Sequence, residues 1–380
     1  METNIIGEDV DQKEGFKAFV PDDFPPAELM NISGDVLQKI AQAGHLVGKL
    51  DGTTHQLPDV DFFLKMFIFK DATASAQIEG TKATMVDALE MEAGLVSVED
   101  TDADDILHYI EALNFGIERL CDLPMSKRFI KELHSKLMTN ARATHFADPG
   151  EWRRSQNWIG GTAPSNALYV PPPVEEMERS LNDFENYLHN ETITLPLIHT
   201  AYMHSQFETI HPFLDGNGRT GRLLITLQLY RFGLLEKPVL FLSSYFKQNQ
   251  KEYYRALHEY HHGDPEVWLE FFIDGVIKTA QDAIVACRSI NELYIGDTQK
   301  IQQLGKRESE SSMKVLLKLF GHPIVTSTTI MNWTSFSRNG AQNVIDRLVE
   351  MEILEPRDES EKYGKSYSYR KYFEVFTNHQ

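Results

Sequence analysis

From Thr220 to Phe232 the chain is apolar on nearly every side of a helix, through Leu223, Leu224, Ile225, Leu227, Leu229 and Tyr230. A helix with no polar face has to lie at the centre of a helical core, and Gly233 is placed to cap its end. Whatever enters that helix is therefore fixed in space. The rest of the chain can supply such a core: 380 residues at 42% hydrophobic and 24% charged match an ordinary globular protein and exclude collagen-like, low-complexity and mainly disordered classes. At roughly 150 residues per domain this length predicts two or three domains.

Punctuation and local charge divide the chain into three blocks. Residues 1–105 open on a Pro-rich extended stretch (Val20 to Pro26), continue as apolar helical patterns and close on the acidic run Glu99, Asp100, Asp102, Asp104, Asp105, read as a solvated turn or helix start. Residues 106–295 are dominated by long helices, interrupted from Asn157 to Pro173 by a Gly-, Thr-, Ser- and Pro-rich hairpin or exposed loop. After a polar connector from Thr298 to Ser311, residues 310–380 change style. Helices over Met313–Phe320, Ser327–Trp333 and Ser337–Met351 precede a charged turn (Glu355 to Ser366) and alternating Tyr367, Tyr369 and Tyr372, with a wing over Leu354–Phe373. Helices followed by a β-hairpin predict a winged-helix module.

The chemistry concentrates in His211-Pro-Phe-Leu-Asp-Gly-Asn-Gly-Arg-Thr-Gly-Arg222, just where the central helix begins. Gly216, Asn217 and Gly218 leave the backbone bare at a helix N-terminus, where unpaired N–H groups make an anion cradle. Arg219 and Arg222, at i and i+3, share a face. Cations in a first helical turn oppose the helix dipole, so an anionic ligand explains them better than helix stability, and a polyphosphate suits both. Asp215 adds a hard oxygen donor suited to Mg²⁺, which takes one or two carboxylates plus substrate phosphates. His211 has the titration range to remove a proton from an attacking hydroxyl.

This stretch resembles the Fic motif, HxFx(D/E)GNGRxxR, at every fixed position. The resemblance extends to Phe207-Glu208, to Gly150-Glu-Trp-Arg153 and Asn157-Trp-Ile-Gly160 upstream, and to Tyr253-Tyr254 with Trp268 downstream, covering about residues 70–275. It implies a mainly α fold, a Fic-type helical core with a β-hairpin flap, and here a C-terminal winged-helix (α+β) domain. The implied activity is transfer of AMP from ATP to a Ser, Thr or Tyr hydroxyl of a protein. By resemblance His211 is the base, Asp215 holds Mg²⁺ on the α- and β-phosphates, and Gly216, Asn217 and Gly218 form the anion hole. Arg219 and Arg222 take the β- and γ-phosphates. The flap aligns the target peptide by strand addition, Gly160 within it is expected to bind the nucleotide, and Tyr253 and Tyr254 border the adenosine, although both tyrosines also read as core aromatics on a helix face.

A second signal lies in Ser75-Ala-Gln-Ile-Glu79-Gly80. Phe62, Phe63, Met66, Phe67, Ile68 and Ile78 predict a largely buried helix running to Gly80 as C-cap, which leaves Glu79 at the negative end of a helix dipole. A carboxylate there costs roughly 0.3–1 kcal/mol unless a cation compensates. The stretch resembles the Fic inhibitory motif (S/T)xxxE(G/N), whose glutamate pairs with the second motif arginine, here Arg222, and blocks the γ-phosphate. In some family members that glutamate instead positions a water that removes AMP from a modified protein.

Charge and the remaining residues bound the alternatives. Lys+Arg of 37 against Asp+Glu of 56, a formal charge of −19, argues against bulk electrostatic coating of nucleic acid or membrane. Residues 311–380 carry nine Lys/Arg against eight Asp/Glu, which favours protein docking or a structural role over DNA binding for the winged helix. His258, His261 and His262 read as a solvated helix end rather than a metal site. His204, two helical turns before the motif, packs or hydrogen-bonds beneath it. Only two cysteines, Cys121 and Cys287, occur, the N-terminus lacks signal-peptide features and no apolar run nears about 18 residues, so a cytoplasmic, non-membrane protein is expected. Three classes of function stay open: an adenylyltransferase, an AMP-removing hydrolase, and a DNA-binding regulator. The target protein, possibly the chain itself, and the oligomeric state, a homodimer included, are not legible.

Overall fold

The computed structural model describes residues 6–26, 29, 31–57, 60–95, 102–139, 148–190, 195–358 and 365–377. A hairpin of β1 (Gly7–Asp11) and β2 (Lys17–Pro21) leads to α1 (Gly34–Thr54), α2 (Val60–Ile78), α3 (Met85–Glu92), α4 (Ala103–Arg119) and α5 (Lys127–Met138). Then follow α6 (Val174–His189), α7 (Pro196–Ile210), α8 (Asn217–Arg231), α9 (Ser243–Gln248), α10 (Gln250–His262) and α11 (Pro265–Gln302). The chain closes with α12 (Lys306–Leu319), β3 (Ile324–Thr326), α13 (Ser327–Thr334), α14 (Arg338–Glu350), β4 (Glu355–Pro356), β5 (Ser366–Ser368) and α15 (Arg370–Thr377).

The apolar helix after the glycine-rich stretch is α8, and it lies at the centre as its composition requires. Packed against it are α2, α4, α5 and α7. Helix α7 is buried from Leu197 to Ile210 without a break, so it too has no polar stripe. The helix begins at Asn217 rather than Thr220, because Gly216, at φ 76°, turns the chain directly into it. Both motif arginines thus stand in its first turns.

Helix α2 buries Phe63, Met66, Ile68, Phe69 and Ile78 and packs on α4, α8 and α9; the Phe62 side chain lies outside the described residues. It ends at Ile78, and Gly80, at φ 98°, makes the sharp exit. Of the acidic run, Asp102 to Asp105 start α4, which suits carboxylates at a positive helix end, while Glu99 and Asp100 lie outside the described residues. The Asn157 to Pro173 stretch is a hairpin closed by a single bridge, Ile159 to Tyr169, over a 3₁₀ turn at Pro164–Asn166. Beside that bridge Leu168 is 84% exposed.

Two expectations for the tail are corrected. The connector from Thr298 to Ser311 shrinks to Gln303–Gly305, because α11 continues past residue 295 to Gln302 and α12 starts at Lys306 rather than Met313. Asp297 inside α11 is buried and accepts a hydrogen bond from Tyr369 Oη at 2.6 Å, so one side of this stretch packs on the tail. The strand pattern of Tyr367, Tyr369 and Tyr372 ends at Ser368, and Arg370–Thr377 is helical. Tyr372 and Phe376, one turn apart, put their rings on Phe63, Phe67 and Phe320, a spacing that only a helix satisfies. Strands β3, β5 and β4 form an antiparallel sheet in that order; of the predicted wing, 359–364 lie outside the described residues.

Candidate active site

His211 terminates α7 in a left-handed conformation, φ 47° and ψ 59°. For a residue with a side chain that conformation costs about 1–2 kcal/mol, so something must hold it. Its carbonyl accepts from Arg153 Nε at 3.1 Å and from Asn157 Nδ2 at 3.1 Å. Arg153, 2% exposed, donates also to the carbonyls of Ser155, Pro172 and Ile210, tying the base of the flap to the motif loop. Burial lowers its pKa to about 10. Burial, reinforced by Arg153 and opposed by the charge of Glu79, lowers His211 to about 4. The imidazole is therefore neutral at neutral pH and able to accept a proton.

The loop between His211 and α8 is stiffened from within. Phe213 N donates to Asn217 Oδ1 at 2.8 Å and Asn217 Nδ2 donates back to the Phe213 carbonyl at 2.8 Å. The Asn217 side chain is thus a clasp, and only its backbone N–H remains for the cradle. His134 stacks on Phe213 at 3.6 Å and 3°. Its Nδ1 accepts from Gly150 N at 2.9 Å, so Nε2 carries the proton and donates to the Asp215 carbonyl at 2.9 Å. Burial lowers its pKa to about 4, which keeps that tautomer neutral. A side chain at position 216 would meet Met138 Sδ at 2.7 Å, so Gly216 is required there. The N–H groups of Asn217, Gly218 and Arg219 are left unpaired by helix geometry.

Both arginines face carboxylates. Arg222 Nη2 meets Glu79 Oε1 at 2.7 Å, while its Nε donates to Ser75 Oγ at 2.9 Å and Nη2 also donates to the Ser75 carbonyl at 3.0 Å. Thus Ser75, Glu79 and Arg222 are brought together, and Gly80 supplies the turn. The Arg222 side chain is 2% exposed and that of Glu79 41%, so the carboxylate is the partner able to leave. Burial acts to raise the Glu79 pKa, but Arg222 outweighs it and holds the carboxyl below its ordinary value. A side chain on Gly218 would collide with Glu79, so this glycine admits the carboxylate over the helix end. Arg219 Nη1 lies 3.5 Å from Asp105 Oδ1.

Asp215 Oδ1 accepts from Gly216 N at 2.6 Å, which leaves the second carboxylate oxygen for a cation. Among the described residues no group of three or more His, Cys, Asp or Glu side chains is arranged around a cation, so any ion at Asp215 would depend on ligand oxygens. Gly160, φ 69°, sits in the flap against Leu168 and not in the cradle. Tyr253 is 2% exposed, stacks on Phe246 at 4.7 Å and meets His204 Nε2 at 2.9 Å, whereas Tyr254 is 46% exposed. His261 is buried, 2.7 Å from Thr209 Oγ1 and stacked on Tyr169 of the flap.

Sequence reasoning left four contributors without a role. Arg153, Asn157 and His134 act through backbone carbonyls, a use that no residue pattern announces. Glu208, buried within α7, stands 3.6 Å from His211 Nδ1 through Oε2.

A helix N-terminus, a neutral histidine beside it and two arginines, one of them already paired with a carboxylate, meet at the centre of a helical fold. The chain belongs to the Fic/DOC family: the Fic/DOC family model matches residues 124–229 and the Fic/DOC family N-terminal model matches 37–118. It is 29% identical over 287 residues to "Protein adenylyltransferase Fic" of Drosophila persimilis, covering 72% of this chain and 51% of that protein. To the protein of that name from Drosophila melanogaster it is 32% identical over 195 residues, 49% of this chain and 34% of that one. The chain thus spans about half or less of these curated relatives. A Fic family protein from Desulfovibrio desulfuricans shares the fold at a TM-score of 0.57 and 18% identity, over 89% of this chain and 97% of that one. Fic-1 from C. elegans does so at 0.52 and 23%, over 66% and 73%.

Proposed function

We propose that the protein is a self-inhibited protein adenylyltransferase, moving AMP from ATP to a Ser, Thr or Tyr hydroxyl of a protein. The observation that carries this reading is the Glu79–Arg222 contact over the N-terminus of α8, beside a neutral His211. A carboxylate on the arginine mimics the phosphate it excludes.

In the proposed reaction the target O–H bond breaks and its proton goes to Nε2 of His211. The hydroxyl oxygen bonds to the α-phosphorus as the bridge to the β-phosphate breaks, and pyrophosphate leaves. The N–H groups of Asn217, Gly218 and Arg219, with the Arg219 and Arg222 side chains, hold the phosphate oxygens where charge accumulates. Arg222 Nη2 cannot serve Glu79 and a γ-phosphate together, so Glu79 sets how often ATP lies correctly. Asp215 would hold Mg²⁺, which when bound neutralises phosphate charge. Exposed Tyr254 suits a place beside the adenosine, with Tyr253 supporting it from the core. The flap, which exposes the Leu168 side chain, suits docking of a target peptide by strand addition.

For residues 310–380 a winged helix is supported by the order α12, β3, α13, α14, β4, β5 and the β3-β5-β4 sheet. Arg347 on α14 is engaged by Ser311 and Glu308, and with nine Lys/Arg against eight Asp/Glu over residues 311–380 this favours protein docking over DNA. Among the described residues no helix is long and apolar enough to cross a membrane, and a cytoplasmic site is proposed on the sequence features above.

The test uses purified protein with Mg²⁺ and ATP labelled at either the α- or the γ-phosphate. Label from the α-position alone should rise about tenfold or more in Glu79→Gly, the equivalent of about 1.4 kcal/mol in barrier. In His211→Ala it should fall roughly 10²–10⁴-fold. Equal labelling by both variants refutes the roles. No α-label in any variant, with Glu79-dependent release of AMP from a modified protein, would favour the reverse reaction.

A further inference from the structure

Beneath the cradle, three helices bring together buried polar groups that the reaction above leaves unused. Glu208, on α7 one turn before His211, is 7% exposed. Its Oε2 lies 3.6 Å from His211 Nδ1. Its Oε1 has no hydrogen-bond partner, and Nδ1 of His211 and of His204 make none of good geometry, though the backbone of Glu208 and of Gly221 respectively lies close enough to raise their pKa values. The carboxyl rests on α8 where that helix is bare: a Cβ on Gly221 would stand 2.5 Å from Glu208 Oε1 and 3.2 Å from His204 Nδ1. From α10, Tyr253 Oη meets the other nitrogen of His204 at 2.9 Å.

A carboxyl buried without a full set of hydrogen bonds is destabilising, and an apolar side chain would fill the space without that cost. Its position explains it better. A base that must become a cation is served by an acceptor at its far ring nitrogen, the third member of a nucleophile–base–orienter set. Resting on the AMP-transfer reading, we infer that Glu208 is the positioning residue of the base: its carboxylate takes the Nδ1–H of His211, turns Nε2 to the target hydroxyl and stabilises the imidazolium. The proton taken from the hydroxyl stays on Nε2, and the carboxylate balances the new charge without a second proton moving. Catalytic hydrogen bonds that are long in the free protein tighten when substrate is bound, which is what the 3.6 Å separation requires.

The surroundings give this arrangement a pH signature. The groups facing Glu208 are His204 and His211 on its own helix, Arg222 on α8, Tyr253 and Tyr254 on α10, and Glu79 after α2. Burial, helped by the charge of Glu79 and opposed by Arg222, raises Glu208 to about 8. At neutral pH most molecules therefore hold the carboxyl protonated, and transfer should climb as it ionises near pH 8. His211 acting alone would give a limb near its own value of about 4.

The experiment uses the full chain carrying Glu79→Gly, with Glu208→Gln, Glu208→Asp or native Glu208, circular dichroism to check the fold, and two readouts. One is the initial rate of α-label transfer from pH 6 to 9. The other is the ¹⁵N spectrum of the His211 imidazole, assigned with His211→Ala and recorded without ATP. In this Glu79→Gly background the limb should sit somewhat below pH 8, because the Glu79 charge that helps raise Glu208 is gone. Glu208→Gln should lower kcat roughly 10–100-fold with KM for ATP within about twofold, and should abolish that limb. Glu208→Asp should retain part of that limb. The His211 signal should show the Nδ1–H tautomer and a second shift near the Glu208 ionisation, absent in Glu208→Gln. An unchanged kcat and pH profile in Glu208→Gln overturns the proposal, as does a His211 signal blind to Glu208. That coupling without α-label transfer in any variant would leave the positioning intact and refute the AMP-transfer reading instead.

Discussion

Two glutamates flank the same arginine in opposite protonation states. Glu79 touches Arg222 at 2.7 Å and has its pKa pulled below the ordinary 4.5, whereas Glu208 lies in the same arginine's field without a hydrogen bond and is pushed to about 8. Nearness to a cation is therefore not what fixes the charge. Burial acts upward on both; a direct charge-assisted hydrogen bond overcomes it at one site, and the field alone does not at the other. Exposure sharpens the contrast, since Glu79 can exchange Arg222 for water while Glu208 can only gain or lose a proton. One carboxyl is built to move and the other to titrate.

The largest expected effect comes from pH. A carboxyl whose folded pKa is raised contributes its stability fully below the unfolded value, and loses it as pH rises to the folded value. For Glu208 that window runs from 4.5 to about 8. Urea unfolding of the wild type and Glu208→Gln should thus diverge over this window, the variant gaining up to about 1.4 kcal/mol per pH unit. Glu79, with its folded pKa lowered, has the opposite window: its contribution is present above 4.5 and is lost as pH falls through the folded value. Glu79→Gln should therefore separate from the wild type only above its acid transition, with a difference that vanishes in acid. His204 and His211, both lowered by burial, to about 3 and about 4, cost stability as pH falls below 6.5; this cost cancels between the wild type and Glu208→Gln, whereas Glu79→Gln removes a charge that raises His211 and deepens the His211 cost in acid. Parallel curves for wild type and Glu208→Gln would mean that Glu208 ionises normally and would break the contrast.

A smaller effect tests the packing. Gly221→Ala drives a methyl group against Glu208 Oε1 and His204, with contacts of 2.5 and 3.2 Å before relaxation. Overpacking of this kind costs about 1–3 kcal/mol. Thermal unfolding should show that loss in the single variant and a smaller one in Gly221→Ala combined with Glu208→Ala, where the colliding carboxyl is gone. Additive losses would say that Gly221 and Glu208 do not bear on each other.

Half of this contrast was legible in the sequence. Ser75, Glu79 and Gly80 stand in one contiguous pattern at a helix end, and Arg222 stands in another, so each could be read locally. Glu208 could not. It lies in a helix buried from Leu197 to Ile210, where no apolar stripe marks the core face and no polar residue looks out of place. Its meeting with Gly221 and Tyr253 depends on α7, α8 and α10 converging, which no spacing within one helix reports. The tail erred for a related reason: alternating tyrosines suit a strand, but Tyr372 and Phe376 find their aromatic partners on α2 and α12 only when Arg370–Thr377 is helical.

The smallest effect concerns the second arginine. Arg219 reaches Asp105 at 3.5 Å, and Asp105 also accepts from Thr81 Oγ1 at 3.2 Å, just beyond the Glu79–Gly80 turn. This pair is longer than that of Glu79 and Arg222, and its carboxylate has a second donor. Both side chains are largely buried, at 5% and 14% exposed, but the contact is long and asparagine keeps an acceptor for Arg219, so Asp105→Asn should cost about 1–2 kcal/mol of stability. Arg219, released from a competing carboxylate, should bind phosphate a few-fold more tightly, as read by titration with ATP. Because Arg222 still holds Glu79, that gain should leave transfer nearly unchanged in the wild-type background and become visible only beside Glu79→Gly. A full release of transfer by Asp105→Asn alone would move the restraint from one arginine to both, and Glu79 would no longer be the carboxylate that sets it.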